Sequence, residues 1–369
     1  MKTIGLIVNP IAGIGGAVGL KGSDGSEILR KALSLGGRAS APEKSITFMN
    51  TLKTLTPVKL IVGAGLMGQQ EALNCGLNPT QVIGYAKENT TAEDTKETAR
   101  KMAHIVDLLT FCGGDGTARD IMDAVDLDTV VLGIPGGVKL QSAVFAVTPQ
   151  SAALIAHEYL EGRLEVVERE VVDIDEEAFR MGVLKSTLYG YLRVPEGGGW
   201  VQPMKSPSDI SAYEVEQLKS IAKYVVEELD DEHLYILGPG TTVKAICDHL
   251  GLPKTLLGVD VLRNSRILKM DVNENDLLEL LEGGKGKIII TPIGGQGHIF
   301  GRGNQQISSR VIRRVGKENI IVVATPSKLG SIQGGRLLVD TGDPDLDTAL
   351  RGYVRVVVGY REEKVMRVE

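Results

Sequence analysis

The chain has 369 residues, of which 43% are hydrophobic, 24% are charged and 4% are aromatic. A chain of this length usually forms two domains with large cores, and this composition is ordinary for a soluble globular protein. The formal net charge of −6 and the scarcity of aromatic rings argue against a nucleic-acid partner, which needs a basic surface or stacking platforms.

Membrane and secretory functions are also disfavoured by the sequence. Its apolar runs are shorter than the roughly 20 residues that span a bilayer. The three cysteines are odd in number and far apart, which favours a reducing compartment over a disulfide framework. We therefore expect a cytoplasmic protein without a membrane partner.

The first 163 residues alternate short apolar strands with helices. Strands are predicted at 3–8, 59–63, 81–85, 108–112 and 129–134, and helices at 24–35, 67–75, 92–105 and 149–161. This alternation predicts an α/β fold with a doubly wound parallel sheet. Because crossovers in such sheets are right-handed, the loops after Val8, Cys112 and Ile134 should meet at one edge, where ligands bind.

The loop after the fourth strand carries the most informative motif of the chain. Its residues are Gly113, Gly114, Asp115, Gly116 and Thr117, followed by a helix that we expect to open with Thr117. Glycines and a helix N-terminus favour a phosphate, whereas a carboxylate there needs a chemical reason. It could accept a proton from an attacking hydroxyl or hold Mg²⁺. The same residues also make a competent turn, with Thr117 and Asp120 resembling a capping box.

Two further loops are predicted at the same edge. The first contributes Asn9 and Gly13, and the second contributes Gly136, Gly137 and Lys139. Lys139 is suited to a phosphate, although a solvated surface lysine is an equally ordinary role. On the helix after the central motif, Asp120, Asp123 and Asp126 are most simply interpreted as a solvated face, with Asp120 a minor candidate for holding Mg²⁺, and no residue is assigned as a metal ligand.

The second half of the chain changes character after residue 163. Runs at 164–174 and 182–194 are typical of antiparallel strands, a long helix is predicted at 208–229, and a second α/β portion covers about 206–330. This predicts a first domain at 1–163 and a mixed domain at 164–369, whose last strands could return to the first. Two strand–turn motifs in this half are candidates for acceptor binding, through Gly238, Gly240, Thr241, Thr242, Gly294 and Gly295. The threonines could equally be helix caps.

The string GGDGT matches the signature of the NAD kinase and diacylglycerol/sphingosine kinase superfamily. The whole chain most resembles the ATP-NAD kinase-like group that includes acetoin catabolism protein X homologues. The matching stretches are Gly5 to Gly16, Gly113 to Asp120, Gly133 to Ala146, Leu237 to Ile246 and Thr291 to Ser308. The resemblance implies that Asp115 is the catalytic base, that the glycines and the Asn9 loop face nucleotide phosphates, and that the protein is a homo-oligomer.

Together these features predict an ATP-dependent, Mg²⁺-requiring kinase with a small-molecule substrate, NAD being the first choice of acceptor and NADP the product. The Asn-Asn-Glu and TPTGSTAY-like motifs of true NAD kinases are not found in the sequence. Another nucleoside, a sugar, a polyol or a lipid therefore stays open as acceptor. A non-catalytic nucleotide-sensing protein is the alternative from a different class.

Overall fold

The structure is a computed structural model that describes residues 2–16, 18–20, 26–137, 140–174, 186–197, 201 and 212–369. Contacts between residues divide the chain into two compact units. The first unit comprises Met1–Gly15 and Lys21–Met204, and the second comprises Gly16–Leu20 and Lys205–Glu369.

Within the described residues of the first unit, five strands form a parallel sheet in the order β3-β2-β1-β4-β5. The strands are β1 Thr3–Val8, β2 Lys59–Gly63, β3 Gln81–Ile83, β4 Leu108–Gly113 and β5 Val131–Pro135. Strands β1, β4 and β5 are almost wholly buried, as expected for a parallel sheet covered on both faces. The predicted α/β fold is confirmed, and the order of strands reverses between β1 and β4.

Helices follow or separate these strands. They are α1 Ser26–Ser34, α2 Ala41–Leu55, α3 Gln69–Asn74, α4 Ala92–Ala103, α5 Asp115–Ala124 and α6 Pro149–Leu160. Helix α4 begins with a capping box, in which the Thr91 and Asp94 side chains each accept a hydrogen bond from the other residue's backbone N–H. Helix α2 was not predicted, because its threonines are poor helix formers. In the structure the hydroxyls of Thr47 and Thr51 bond to carbonyls one turn back, which satisfies them within the helix.

An antiparallel hairpin completes the first unit. It consists of β6 Val166–Ile174 and β7 Ser186–Pro195, which confirms the antiparallel strands predicted in this region. The hairpin packs on α5 and β5, with the Tyr189 hydroxyl donating to Asp123 Oδ1 at 2.8 Å. Because of this packing, the contacts divide the chain after Met204 rather than after residue 163. The prediction that one folding domain ends at residue 163 and the next begins at residue 164 stays a prediction.

The second unit is built on a mixed sheet of nine described strands, in the order β10-β9-β8-β11-β13-β15-β16-β14-β12. The strands are β8 His233–Leu237, β9 Asp260–Arg263, β10 Arg266–Lys269, β11 Lys285–Ile290, β12 His298–Phe300, β13 Ile320–Val323, β14 Arg336–Val339, β15 Gly352–Gly359 and β16 Glu362–Val368. Neighbours β8, β11, β13 and β15 are parallel, whereas β9 with β10 and β15 with β16 are antiparallel pairs. The last two strands thus pair within this sheet.

The helices of the second unit are α7 Ala212–Glu227, α8 Thr241–His249, α9 Glu274–Glu282, α10 Ser309–Val315, α11 Pro326–Gly330 and α12 Pro344–Leu350. Short 3₁₀ turns occur at Gly65–Met67, Lys317–Asn319 and Gln333–Gly335. The described residues of the first unit form one hydrophobic core around β1 and β4, and those of the second unit form two, both of which include residues of β8, β11 and β13. Over the stretches that the structure describes, no helix has the length and apolarity to cross a membrane.

Candidate functional site

The central motif forms the junction between β4 and α5. Gly114 is the residue before the helix, with φ −116° and ψ −169° and no side-chain cap, and α5 begins at Asp115. The helix therefore starts two residues before the expected Thr117, and Thr117 does not form the suggested capping box. The N–H groups of the first turn have no acceptor within the helix, and they mark the positive end of its dipole.

The Asp115 side chain lies at this helix start and is only 8% exposed. Its Oδ2 accepts a hydrogen bond from the backbone N–H of Gln141, and its Oδ1 accepts one from the N–H of Ser142, both at 2.9 Å. Burial raises the pKa of Asp115, and hydrogen bonds from Ser142 and Gln141 with the charge of Arg119 oppose that rise. A carboxylate has about four lone-pair positions, so these bonds leave acceptor capacity for a substrate hydroxyl.

Asn9 connects the loop after β1 to the start of α5. Its backbone N–H donates to the Cys112 carbonyl at 2.9 Å, and its Nδ2 donates to the Thr117 hydroxyl at 2.9 Å. Its Oδ1 accepts from the Ile11 N–H at 3.2 Å, which holds the loop in a turn. Two of the residues predicted to bind phosphate, Asn9 and Thr117, are thus in direct contact.

The loop after β5 joins the same group. The Gly136 N–H donates to the Gly113 carbonyl at 2.9 Å, and the Gly136 carbonyl accepts from the Ser40 hydroxyl at 2.8 Å. Gly13 has φ +82°, and a Cβ there would lie 2.6 Å from the Gly136 oxygen, so only glycine fits. The three predicted loops therefore meet at one edge of the sheet, beside the point where strand order reverses.

The approach to Gly114 has more room. A Cβ on Gly114 would make only an ordinary contact, 3.5 Å from the Gly137 Cα. Gly116 lies within the first turn of α5, beside Asp115 and Thr117. Lys139, the cation predicted for this edge, lies outside the described residues.

The acidic face of α5 is paired rather than freely solvated. Lys96 Nζ lies 2.6 Å from Asp123 Oδ2 and 3.9 Å from Asp120 Oδ1. Among the described residues, no group of three or more His, Cys, Asp or Glu side chains could hold a metal ion. Any metal at this edge would therefore be held mainly by phosphate oxygens and water.

In the second unit, the acceptor candidates lie after two neighbouring parallel strands. Gly238 follows β8 and donates its N–H to the Ile289 carbonyl at 2.8 Å. Gly240, with φ +114°, precedes α8, which begins with Thr241 and Thr242. Gly294 and Gly295 lie in the loop after β11, and the Gly295 N–H donates to Ser331 Oγ at 3.3 Å.

Lys328 is a residue of this region that the sequence analysis missed. Its Nζ donates to Thr242 Oγ1 at 2.9 Å and to Thr291 Oγ1 at 3.1 Å, which links the loops after β8 and β11. A signal was present in the sequence. Thr325-Pro326 follows the apolar run of β13 in the same way that Thr291-Pro292 follows β11.

A doubly wound sheet whose glycine loops converge where its strand order reverses is the architecture of nucleotide-binding α/β proteins. Comparison with known families gives the finer assignment. Residues 4–164 match the family model of the ATP-NAD kinase N-terminal domain, and residues 230–368 match that of the ATP-NAD kinase C-terminal domain. The chain belongs to the ATP-NAD kinase family. Membership of the acetoin catabolism protein X group within it stays a prediction.

Two solved structures from Bacillus anthracis str. Sterne are similar to parts of the chain. One is a diacylglycerol kinase, 18% identical over 47% of this chain and 46% of that one, with a TM-score of 0.23. The other is a proposed diacylglycerol kinase, 15% identical over 64% of this chain and 59% of that one, with a TM-score of 0.24. The chain thus spans about half to three fifths of these proteins, and such low scores give no information on substrate. No curated protein matches the sequence significantly.

Proposed function

We propose that the protein is an ATP-dependent kinase that transfers a phosphoryl group to the hydroxyl of a small molecule, with NAD as the first candidate acceptor. The observation that carries this proposal is Asp115, a buried carboxylate at the start of α5, within three converging glycine loops of an ATP-NAD kinase family member. The family match supports ATP as donor. The geometry supports a place for its phosphates at the first turn of α5.

Phosphoryl transfer asks the protein mainly to position the reactants and to neutralise charge. In the proposed mechanism, the N–H groups of Gly114, Asp115, Gly116 and Thr117 face the donor phosphates, with Gly113, Gly136, Gly137, Asn9 and Gly13 shaping the loops around them. Lys139 is proposed as the cation of the same edge. Asp115 would accept the proton of the acceptor hydroxyl, a role that its raised pKa favours because a base works best with a pKa near the operating pH.

Mg²⁺ is proposed as the metal, because it is usually held by one or two carboxylates together with phosphate oxygens and waters. The described residues fit that mode, since they contain no three-ligand cluster and the donor phosphate oxygens and waters would supply most of the ligands. Bound to the donor phosphates, the metal would supply neutralisation of their charge. The homo-oligomeric state and the cytoplasmic location stay predictions.

The test is a turnover assay on the full chain with ATP, Mg²⁺ and NAD, in which NADP is measured by a coupled dehydrogenase. Asp115→Asn should lower kcat by roughly 10²- to 10⁴-fold, the usual contribution of a general base. Asp123→Asn is the matched control, because Asp123 lies on the same helix and bonds to Lys96 and Tyr189. We expect the control to retain activity within a few fold. Full turnover by Asp115→Asn would refute the assignment of Asp115 as base.

The buried bonds of Asp115 favour a second candidate function. Because both carboxylate oxygens accept backbone N–H groups, Asp115 also fits a structural role that shapes a nucleotide-sensing site. Calorimetric binding of ATP, combined with no phosphate transfer to NAD, NADH, nucleosides, sugars, polyols or lipid vesicles, would select that function. Transfer to a sugar, polyol or lipid alone would keep the kinase and change the acceptor.

A further inference from the structure

Helix α5 contains a single basic residue, Arg119, among its three aspartates. Arg119 follows Asp115 by four positions and precedes Asp123 by four. Residues four apart on a helix lie on one face, and helical side chains lean toward the N-terminus, so Arg119 is directed toward the turn that holds Asp115. An acid four positions before a base is also the more favourable order of the two. The spacing therefore pairs Arg119 with Asp115 in preference to Asp123.

Two cations on elements that pack against α5 have other partners. Helix α4 and strand β6 both contact α5. Lys96 Nζ, from α4, lies 2.6 Å from Asp123 Oδ2, and this bond is the main reason why the pKa of Asp123 is lowered. Arg169, from β6, donates to both carboxylate oxygens of Glu196 at 2.9 Å. Among the described residues, the arginine of α5 itself is therefore the better placed counter-ion for Asp115.

The Asp115 carboxylate combines burial with neutral hydrogen-bond donors. Its Oδ2 and Oδ1 accept from the backbone N–H groups of Gln141 and Ser142, both at 2.9 Å. Burial raises the pKa of Asp115, and the charge of Arg119 acts with these hydrogen bonds to oppose the rise. A guanidinium stays protonated at every pH at which a protein is folded and active. Its charge is therefore constant while Asp115 titrates, and its removal adds no titration of its own.

We propose that Arg119 is a positioning residue of the kinase centre, which holds the Asp115 carboxylate in place and ionised from the next turn of α5. This inference rests on the proposed function and deepens it, because it names the group that prepares the base. In the transfer step, the proton of the acceptor hydroxyl moves to the Asp115 carboxylate. The hydroxyl oxygen forms its bond to the γ-phosphorus while the bond from that phosphorus to the oxygen of the departing ADP breaks. Arg119 acts through Asp115 and need not touch the substrate.

The first experiment compares profiles of kcat against pH for the full chain and its variants, with ATP, Mg²⁺ and NAD. Arg119→Gln removes the charge and keeps a polar side chain. We expect its kcat to be about 10-fold below that of the wild type on the acid limb, because a neighbouring opposite charge changes the ionisation of a carboxyl by about that factor. The difference should narrow at higher pH. Lys96→Gln is the matched control, since Lys96 pairs with Asp123 on the same helix, and its acid limb should coincide with that of the wild type.

The second experiment needs no kinase activity. Carbon-13 NMR of the full chain, labelled at its aspartate carboxyls, follows the ionisation of Asp115, whose signal is assigned by its loss in Asp115→Asn. We expect the titration of Asp115 to move to higher pH in Arg119→Gln and to stay in place in Lys96→Gln. An unmoved titration in Arg119→Gln would overturn the proposal, whatever the turnover. A moved titration with an unmoved acid limb would support the coupling and refute Asp115 as the base, so the failures of the two proposals can be told apart.

Arg119→Lys separates the charge of this residue from its packing. The Arg119 side chain is half-buried, and lysine keeps its positive charge without the planar guanidinium. If the charge serves Asp115, the acid limb and the NMR titration of Arg119→Lys should lie close to those of the wild type. A shift in Arg119→Lys as large as the one in Arg119→Gln would assign the effect to packing and overturn the proposal.

Discussion

Ser142 lies between Asp115 and the β6 strand, where it does two things. Its hydroxyl hydrogen-bonds to the Asp115 carboxylate and lowers the pKa that burial raises. The same oxygen accepts from the Val172 N–H at 3.1 Å, which attaches the loop at 140–142 to the hairpin. A change at this residue therefore affects the charge state of Asp115 as well as the position of the loop.

The pH dependence of turnover is the first prediction at this scale. Only the ionised form of a general base accepts a proton, so kcat should rise with pH through the raised pKa of Asp115. Ser142→Ala removes a hydrogen bond that stabilises the ionised form, and its acid limb should move to higher pH than that of the wild type. Profiles of kcat against pH for both proteins test this. Superimposable acid limbs would contradict it.

The same raised pKa has a consequence for stability. The folded protein binds the Asp115 proton more tightly than the unfolded chain does. The contribution of this group to the free energy of unfolding is therefore fully present below the ordinary carboxyl pKa, and it is lost as pH rises through the folded-state pKa. As pH rises through the folded-state pKa of Asp115, the free energy of unfolding should therefore fall while turnover rises.

Lys254 and Asp260 form a fully buried ion pair in the second unit. Their N–O distance is 3.1 Å and both side chains have 0% exposure. Burial lowers the pKa of Lys254, whereas the neighbouring Asp260 raises it. Asp260 also accepts from the Thr255 N–H at 2.7 Å and the Asp271 N–H at 2.7 Å, so its charge is held by several donors.

Lys254→Met should lower the free energy of unfolding by about 3–5 kcal/mol, because it leaves a buried carboxylate without its counter-ion. Urea denaturation measures the loss. Lys244→Met is the matched control, since Lys244 is an exposed lysine paired with Asp248 one helical turn away. A surface pair of that kind contributes less than about 1 kcal/mol. If Lys254→Met lowers the free energy of unfolding by as little as Lys244→Met does, the prediction is wrong.

In the turn between β4 and α5, Gly114 occupies a position where the surrounding atoms leave room for a side-chain Cβ. Gly114 has a backbone conformation that any residue adopts, and a Cβ would touch only the Gly137 Cα at an ordinary distance. The fold therefore does not explain why this position is glycine. The proposed approach of a donor phosphate to the backbone would explain it.

Gly114→Ala should leave the melting temperature within a few degrees of the wild type and raise the Kd for ATP about 10-fold or more, as for a lost charge-assisted hydrogen bond. Calorimetry and thermal unfolding give the two values. Gly283→Ala is the control, because Gly283 has φ −93° and no atom within 4 Å of an added Cβ. If Gly114→Ala binds ATP as tightly as the wild type does, the proposal that a phosphate binds at this turn is wrong.

These elements also show how far the sequence could predict the molecule. Apolar runs followed by glycine-containing loops located β1, β4 and β5, and the handedness of crossovers was enough to place their loops together. The start of α5 was misplaced because a glycine before a helix gives no side-chain signal. The bonds between Asp115 and the N–H groups of Gln141 and Ser142 join residues 26 and 27 positions apart, and no local pattern encodes such a contact.

At the scale of the whole molecule, the two units have separate hydrophobic cores. The core around β1 and β4 includes Ile4 and Phe111, and the main core of the second unit includes Val259 and Val261 on either side of Asp260. No described residue belongs to both cores. A substitution that destabilises one core should therefore first increase local unfolding within the unit that contains that core.

Hydrogen exchange of Lys254→Met tests that expectation. The buried ion pair holds the segment before β9, so backbone amides of β8, β9 and β11 should exchange faster in the variant than in the wild type. Amides of β1 and β4 should exchange at unchanged rates, because their hydrogen bonds and core contacts lie in the first unit. Mass spectrometry of peptides from both units gives the comparison under conditions where both proteins are folded. Equal acceleration in β1 and β4 would show that the chain opens as one cooperative body.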